Sequence, residues 1–283
     1  MKLLGIGDNV MDAYLFRGEL YPGGNAANVA VLAKRAGADT SGYLGILAND
    51  PAGLHYRDVL QAEGIELSRL RQAVGKTACN YIRLDDAGDR IFSGNNGQET
   101  VQSMFQLAFT QADRDYVAGF DVLHTSIHSL LDQEIPVLAR HSLVSMDFSS
   151  DGYTKTNVAA LAPFLHFAFF SSGGRPQETM EEIMNFAASQ QIPEVICTLG
   201  LGGSCGISKG QFWSVSAYPS ENTIDALGAG DSYIAAFLVN YVNNGGNAAQ
   251  AADTASRFAA ACCGHYGAFG HPIDIASSGL LLT

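Results

Sequence analysis

The 283-residue sequence is poor in charge, in proline and in basic side chains, and it has no unbroken apolar run long enough to cross a membrane. Charged residues make up 16% of the chain, against about 25% in an ordinary soluble domain. Lys and Arg number 16 against 28 Asp and Glu, a net charge of -12. Such a balance repels phosphate backbones and argues against nucleic acid or an anionic membrane as partner. The cysteines (Cys79, Cys197, Cys205, Cys262 and Cys263) are odd in number and form no CxxC pair. That excludes a disulfide framework or a zinc site and fits a reducing cytoplasm. The N-terminus reaches Asp8 too early for a signal peptide. The charge-free stretch 232–252 is interrupted by Asn240, Asn243, Asn244, Gly245, Gly246, Asn247 and Gln250, so it reads as two helices and a loop. A soluble, cytoplasmic protein is expected.

What the sequence does have is a 47% hydrophobic content, enough for one large core, and a regular alternation. Short apolar runs at 2–7, 40–47, 121–127, 144–148, 166–170 and 194–199 read as strands. Amphipathic spacing predicts helices over 24–36, 51–63, 131–140, 157–164, 177–190, 233–241 and 248–263. Strands alternating with helices give a mostly parallel sheet covered on both faces. Such sheets bind ligands at the carboxyl ends of their strands. The exception is 77–94, two strand patterns around Asp85-Asp86-Ala87-Gly88-Asp89 with no helix beside them. It reads either as a projecting flap or as an ordinary edge hairpin.

Four segments carry chemistry. In Asp225-Ala226-Leu227-Gly228-Ala229-Gly230-Asp231, small residues let the backbone curl against a ligand. The opening amides of the next helix then form an anion site. Asp231 beside that anion suits a general base acting on a hydroxyl, although an Asp cap after a glycine turn has the same pattern. In Gly23-Gly24-Asn25-Ala26-Ala27-Asn28, two asparagines three apart share one helix face, a combination suited to a polyhydroxylated ligand or to a simple cap. Asp8 and Asp12 follow the first strand, where a carboxylate can bind two sugar hydroxyls or cap a turn. Thr198-Leu199-Gly200-Leu201-Gly202-Gly203 leaves a strand as a nucleotide-phosphate loop or a strand-to-strand turn. It fits neither the Walker nor the dinucleotide fingerprint. His124 and His128 are four apart but lack the glutamate of a zinc helix, and His124 reads as packed or solvated.

In this order and spacing the four segments resemble the PfkB/ribokinase-type carbohydrate kinases over essentially the whole chain. Asp-x-x-Gly-Ala-Gly-Asp at 225–231 is similar to that family's carboxyl-side motif, and Gly-Gly-Asn-x-x-Asn at 23–28 to its amino-side motif. Gly-Asp-Asn-x-x-Asp at 7–12, the short stretch before Gly23, the hairpin around Asp89-Arg90-Ile91-Phe92 and the strand Asp121-Val122-Leu123-His124-Thr125 resemble the fructoselysine 6-kinase branch. The resemblance implies a ribokinase-like three-layer α/β/α sandwich, a single domain over 1–283, with a small β lid from about 77–94 and the segment 13–22. It implies ATP and Mg²⁺ as cofactors and phosphoryl transfer to a primary hydroxyl of a ketose-like substrate such as fructoselysine. By the same resemblance Asp231 is the base and Gly228, Ala229 and Gly230 form the anion hole. Asp12, Gly24, Asn25 and Asn28, with Arg90 on the lid, hold the sugar. Thr198, Gly200 and Gly203 line the ATP site, and a homodimer is a further implication.

Two departures stand out. Ala226 replaces the family's usual Thr, and the family's Asn-x-x-Glu element has no match in Ser171-Ser172-Gly173-Gly174-Arg175-Pro176-Gln177-Glu178. No metal ligand is therefore assigned, and magnesium is expected to be held through ATP oxygens and waters. A kinase of the same fold for a plain ketose, sugar acid or nucleoside, and a non-catalytic sensor on this scaffold, are the competing readings.

Overall fold

The computed structural model describes residues 1–84, 90–150, 152–219 and 223–280. The chain begins with β1 (Lys2–Ile6), the hairpin β2 (Val10–Tyr14) and β3 (Glu19–Gly23), α1 (Asn25–Arg35), β4 (Thr40–Leu44), β5 (Ile46–Ala48) and α2 (Pro51–Ala62). It continues through β6 (Arg71–Ala73), β7 (Cys79–Leu84), β8 (Arg90–Asn95), α3 (Val101–Met104), α4 (Gln111–Val117) and β9 (Val122–Ser126). The middle holds α5 (Ile135–Leu138), β10 (Leu143–Asp147), α6 (Lys155–Leu161), β11 (Phe167–Ser171), α7 (Gln177–Ser189) and β12 (Glu194–Thr198). The hairpin β13 (Ser204–Ser208) and β14 (Gln211–Val215), then α8 (Ala229–Asn243), α9 (Ala248–Cys262) and β15 (Ile273–Asp274) complete it. Among the described residues no helix is long and apolar enough to cross a membrane.

The large sheet has the order β14-β13-β12-β11-β10-β9-β1-β4, parallel from β12 to β4, with the β13–β14 hairpin antiparallel at one edge. Alternate side chains on its strands enter two separate cores, as a sheet buried on both faces requires. Leu3, Phe167, Phe169 and Ile196 pack with α1, α8 and α9, whereas Leu4, Ile6, Ala168, Phe170 and Val195 pack with α4 to α7. This is the expected three-layer α/β/α sandwich. From β1 the chain crosses through α1 to β4 on one side, whereas β9, on the other flank of β1, leads away to β10. The order therefore reverses at β1 and β9, and the crevice at their carboxyl ends is where such sheets take ligands.

A second sheet, β15-β3-β2-β7-β8, joins the 77–94 hairpin to the β2–β3 hairpin through parallel pairing of β2 with β7. The turn 85–89 of the first hairpin lies outside the described residues.

Two elements differ from the sequence reading. The strand expected over 40–47 breaks at Gly45, where a Cβ would lie 2.1 Å from the Tyr43 hydroxyl; β5 leaves the large sheet and pairs with β6. The helix expected over 131–140 shrinks to α5. Pro136 sits in its first turn and lacks the N–H that an earlier start would need. Leu130 before it is left-handed, with φ 54°.

Asp113 holds the flank of the β9 crossover. It is fully buried, accepts from the Thr110 amide and hydroxyl, and receives Arg69 at 2.7 Å and Arg71 at 2.6 Å. Burial alone would raise its carboxyl; the Thr110 and Arg69 hydrogen bonds and the Arg71 charge outweigh it and hold the group at about 2. The stability it contributes is full above the ordinary carboxylate range and is lost as pH falls towards 2. Asp113→Ala is expected to cost about 2–4 kcal/mol, less than a fully buried pair because both guanidinium groups reach solvent. In a melting experiment at pH 7 this is a fall in Tm of at least about 4 °C; an unchanged Tm would show that Asp113 is not a brace.

Candidate active site

The site begins where β1 ends. Asp8 caps the start of α1: its carboxylate accepts from the amides of Asn25 at 2.6 Å and Ala26 at 3.3 Å, and from the hydroxyls of Ser126 and Ser129 after β9. Asp8 is thus a structural acceptor at a helix N-terminus, where negative charge is favoured. The paired glycines before α1 allow close approach. A Cβ on Gly24 (φ 98°) would lie 2.6 Å from the Asn9 Cα, and one on Gly23 would lie 2.1 Å from the Asp12 carboxylate.

Asn25 and Asn28 lie on one face of α1 and meet α8. Asn25 Nδ2 donates to Asp231 Oδ1 at 2.7 Å, and Asn28 Nδ2 to Asp231 Oδ2 at 2.6 Å. Both oxygens of Asp231 are therefore oriented by amide donors. Asn25 Nδ2 also donates to Asp147 Oδ2 at 2.9 Å. Asn25 Oδ1 lies 2.8 Å from His124 Nε2, and His124 Nδ1 lies 2.9 Å from Ser145 Oγ. Because both Asn25 N–H groups are spent on carboxylates, its oxygen must accept, so His124 carries its proton on Nε2 and accepts from Ser145 at Nδ1. His124 is fully buried, and burial pushes it down to about 3, so the ring is neutral. It is packed, as its sequence context allowed. By contrast, Asn28 Oδ1 is buried and unpartnered among the described residues.

The acids of the crevice are shifted upwards. Burial raises Asp231 to about 6, with Asn28 and Asn25 lowering it and the charge of Asp8 raising it. Burial raises Asp12 to about 7, opposed by the Asn80 amide and aided by the charges of Asp231 and Asp225. Asp147 is likewise raised to about 7 by burial, opposed by the Ser149 amide and aided by Asp231 and Asp8. A half-buried carboxyl poised near neutrality is suited to accept a proton from a hydroxyl.

α8 starts from Gly228 in the left-handed region (φ 81°), and a Cβ there would lie 2.4 Å from Ala268. At Gly230 a Cβ would meet nothing within 4 Å, so this turn is open to a ligand. The Ala229 amide donates to the Ala226 carbonyl at 3.1 Å, which leaves Gly230 and Asp231 as the residues whose amides open the helix. Asp225 fixes the loop from below. It is buried and accepts from Tyr14 Oη, from the Leu227 amide at 2.9 Å and from the Gly267 amide at 3.0 Å. Ala226 is exposed.

The glycine-rich segment after β12 is a strand-to-strand connection, a short 3-10 turn at Gly200–Gly202 leading into β13. Thr198 ends β12 in register with Ser171 of β11, and Asp147 ends β10. Asp147 is in register with Phe169 and through it with Ile196, two residues short of Thr198, so with strands about 4.8 Å apart and a rise of about 3.3 Å per residue Thr198 stands roughly 12 Å from Asp147. Arg90 begins β8, but its side chain lies outside the described residues. Where a metal-organising Asn-x-x-Glu was sought, Arg175 lies 5.4 Å from the Tyr153 ring. Among the described residues no group of three or more His, Cys, Asp or Glu could hold a metal ion.

Sequence reasoning missed Asp147 and gave Asp225 no role of its own. Asp147 sits at the end of a strand otherwise read only as core, and its position at the carboxyl edge of a parallel sheet was the available signal.

The pfkB family carbohydrate kinase model matches residues 6–274. A fructosamine kinase of Bacillus subtilis is 39% identical over 274 residues, 96% of this chain and 94% of its own. A fructoselysine 6-kinase of Escherichia coli is 34% identical, covering 85% and 90%. Among solved structures, the fructokinase of Xylella fastidiosa with bound ATP superposes with a TM-score of 0.77 at 17% identity, over 98% of this chain and 96% of that one. The ribokinase of Thermotoga maritima gives a TM-score of 0.74 at 17% identity, over 98% and 97%. The chain therefore belongs to the PfkB family of carbohydrate kinases, enzymes that transfer a phosphoryl group to a sugar hydroxyl.

Proposed function

We propose that the protein is an ATP-dependent kinase of fructosamines, with fructoselysine as substrate and its 6-hydroxyl as acceptor. The observation that carries the mechanism is Asp231, held through both oxygens by Asn25 and Asn28 at the mouth of α8. The substrate class is supported by the names of the fructosamine and fructoselysine kinases to which the chain is similar.

Asp12 and the free Oδ1 of Asn28 offer acceptors to sugar hydroxyls, while Asn25 has its donors and its carbonyl engaged with protein groups. With a hydroxyl against Asp231, its proton passes to the carboxylate as the oxygen attacks the γ-phosphorus, the bond from that phosphorus to the β–γ bridging oxygen breaks and ADP leaves. The amides that open α8 at Gly230 and Asp231 face the oxygens on which charge develops, an electrostatic stabilisation that needs no reorganisation. Thr198, Gly200 and Gly203, at and after the carboxyl end of β12, would line the nucleotide side of the crevice. The five-stranded sheet, which carries Asp12 on β2, acts as the lid that excludes water. Magnesium would enter on the nucleotide's oxygens.

Three outcomes test this reading. In an ADP-release assay, turnover on fructoselysine should exceed that on plain fructose by at least about tenfold in kcat/KM, a difference of about 1.4 kcal/mol; preference for fructose would move the specificity and leave the chemistry. Asp231→Asn should lower kcat by about 10²–10⁴-fold, with ATP still bound; near-normal turnover would refute the base. Because Asp231 must be ionised, kcat/KM should rise with pH through an apparent pKa between about 6 and 7 and fall about tenfold per unit below it. A flat profile from pH 5 to 8 would contradict the assignment.

A further inference from the structure

We infer that Asp147, at the end of β10, is a positioning residue of the phosphoryl-transfer site: it binds one N–H of the Asn25 amide so that the other stays aimed at Asp231. The inference rests on Asp231 being the base and goes beyond it to what holds the base in place.

A primary amide has two N–H groups and one carbonyl, and it can rotate by half a turn at small cost if its surroundings do not distinguish its two ends. A half-turn of Asn25 would bring its carbonyl against the Asp231 carboxylate, replacing an attraction by a repulsion. The structure distinguishes the ends. Asp147 Oδ2 takes the second N–H at 2.9 Å. His124 Nε2, 2.8 Å from the carbonyl, donates to it in the tautomer that this orientation of Asn25 sets. A flipped Asn25 would thus lose its bonds to Asp231 and Asp147 together.

Asp147 is itself held. Its Oδ1 accepts the Ser149 amide at 2.8 Å, in a turn where Ser149 adopts a left-handed conformation with φ 58°. A non-glycine residue in that region is unusual and is kept only where the surroundings demand it. The donors to Asp147 are thus one backbone amide and one side-chain amide; it forms no ion pair among the described residues. Burial and the charges of Asp231 and Asp8 hold it up at about 7.

The test is steady-state kinetics on the full chain with saturating ATP and sugar. Asp147→Ala should lower kcat by about 10–100-fold, the scale of a misaligned reacting group. KM should stay within about threefold, because Asn25 orients the base and spends no donor on the sugar. Asp147→Asn has one acceptor oxygen for the two donors that Asp147 serves, the Ser149 and Asn25 N–H groups, so its kcat should lie between those of wild type and Asp147→Ala. In an Asn25→Ala background, adding Asp147→Ala should change kcat by less than about threefold, since residues that act through one another are not additive. If the smaller variant does not fold, Asp147→Leu, which keeps the branching at Cγ without an acceptor, is expected to show the same loss. Asp147→Ala within twofold of wild type, or additive losses in the Asn25→Ala background, would each overturn the inference. Asp231→Asn tests the base itself, so a failure of that reading is seen separately.

Discussion

The paired hydrogen bonds from Asn25 and Asn28 to Asp231 are the constraint around which the crevice is built. They join the first residues of α1 to the first turn of α8, two helix N-termini brought together from opposite ends of the chain. For this contact α1 must begin close to β1 and β2, which explains the Gly23–Gly24 pair and the Asp8 cap. α8 must begin just as sharply, which explains left-handed Gly228 against Ala268 and the anchoring of Asp225 by Tyr14, Leu227 and Gly267. The first Asp of the carboxyl-side motif is therefore a strut, whereas the last lies in the crevice at the start of α8.

The crevice gathers Asp8, Asp12, Asp147 and Asp231, and the donors that meet them are amides and hydroxyls. Neutral donors stabilise a carboxylate less than a cation would, so burial and mutual repulsion prevail and lift Asp12, Asp147 and Asp231 above the usual range. A paired lysine or arginine would have held these groups near their ordinary values and left Asp231 a weak base at neutral pH. Among the described residues no cation is hydrogen-bonded to Asp231, which fits the low basic content of the chain. The amides at the start of α8 offer a positive potential suited to a phosphoryl group.

Much of this was legible in the sequence. The alternation of apolar runs with amphipathic segments gave the parallel sheet, because strands buried on both faces must be apolar throughout. The glycines at 23, 24 and 228 marked close approaches, and the three-residue spacing of Asn25 and Asn28 marked a shared face. The pairing of those asparagines with Asp231 was not legible, since more than 200 positions separate them and periodicity reports only local order. Asp147 was hidden for the same reason. Its neighbours Val144, Met146 and Phe148 are core residues, and only the sheet order shows that β10 ends beside the site. Gly45 and Pro136 defeated the strand and helix boundaries because one residue's steric demand outweighed the pattern around it. The β2–β7 pairing that unites the two hairpins is likewise a long-range contact.

The most direct measurement is a crystal structure of the ternary complex with fructoselysine and a non-hydrolysable ATP analogue. The account predicts the sugar's 6-hydroxyl within about 3 Å of an Asp231 carboxylate oxygen, the γ-phosphate facing the Gly230 and Asp231 amides, and Asn25 still bridging Asp147 and Asp231. A hydroxyl seated away from Asp231, or a γ-phosphate turned away from the start of α8, would contradict it.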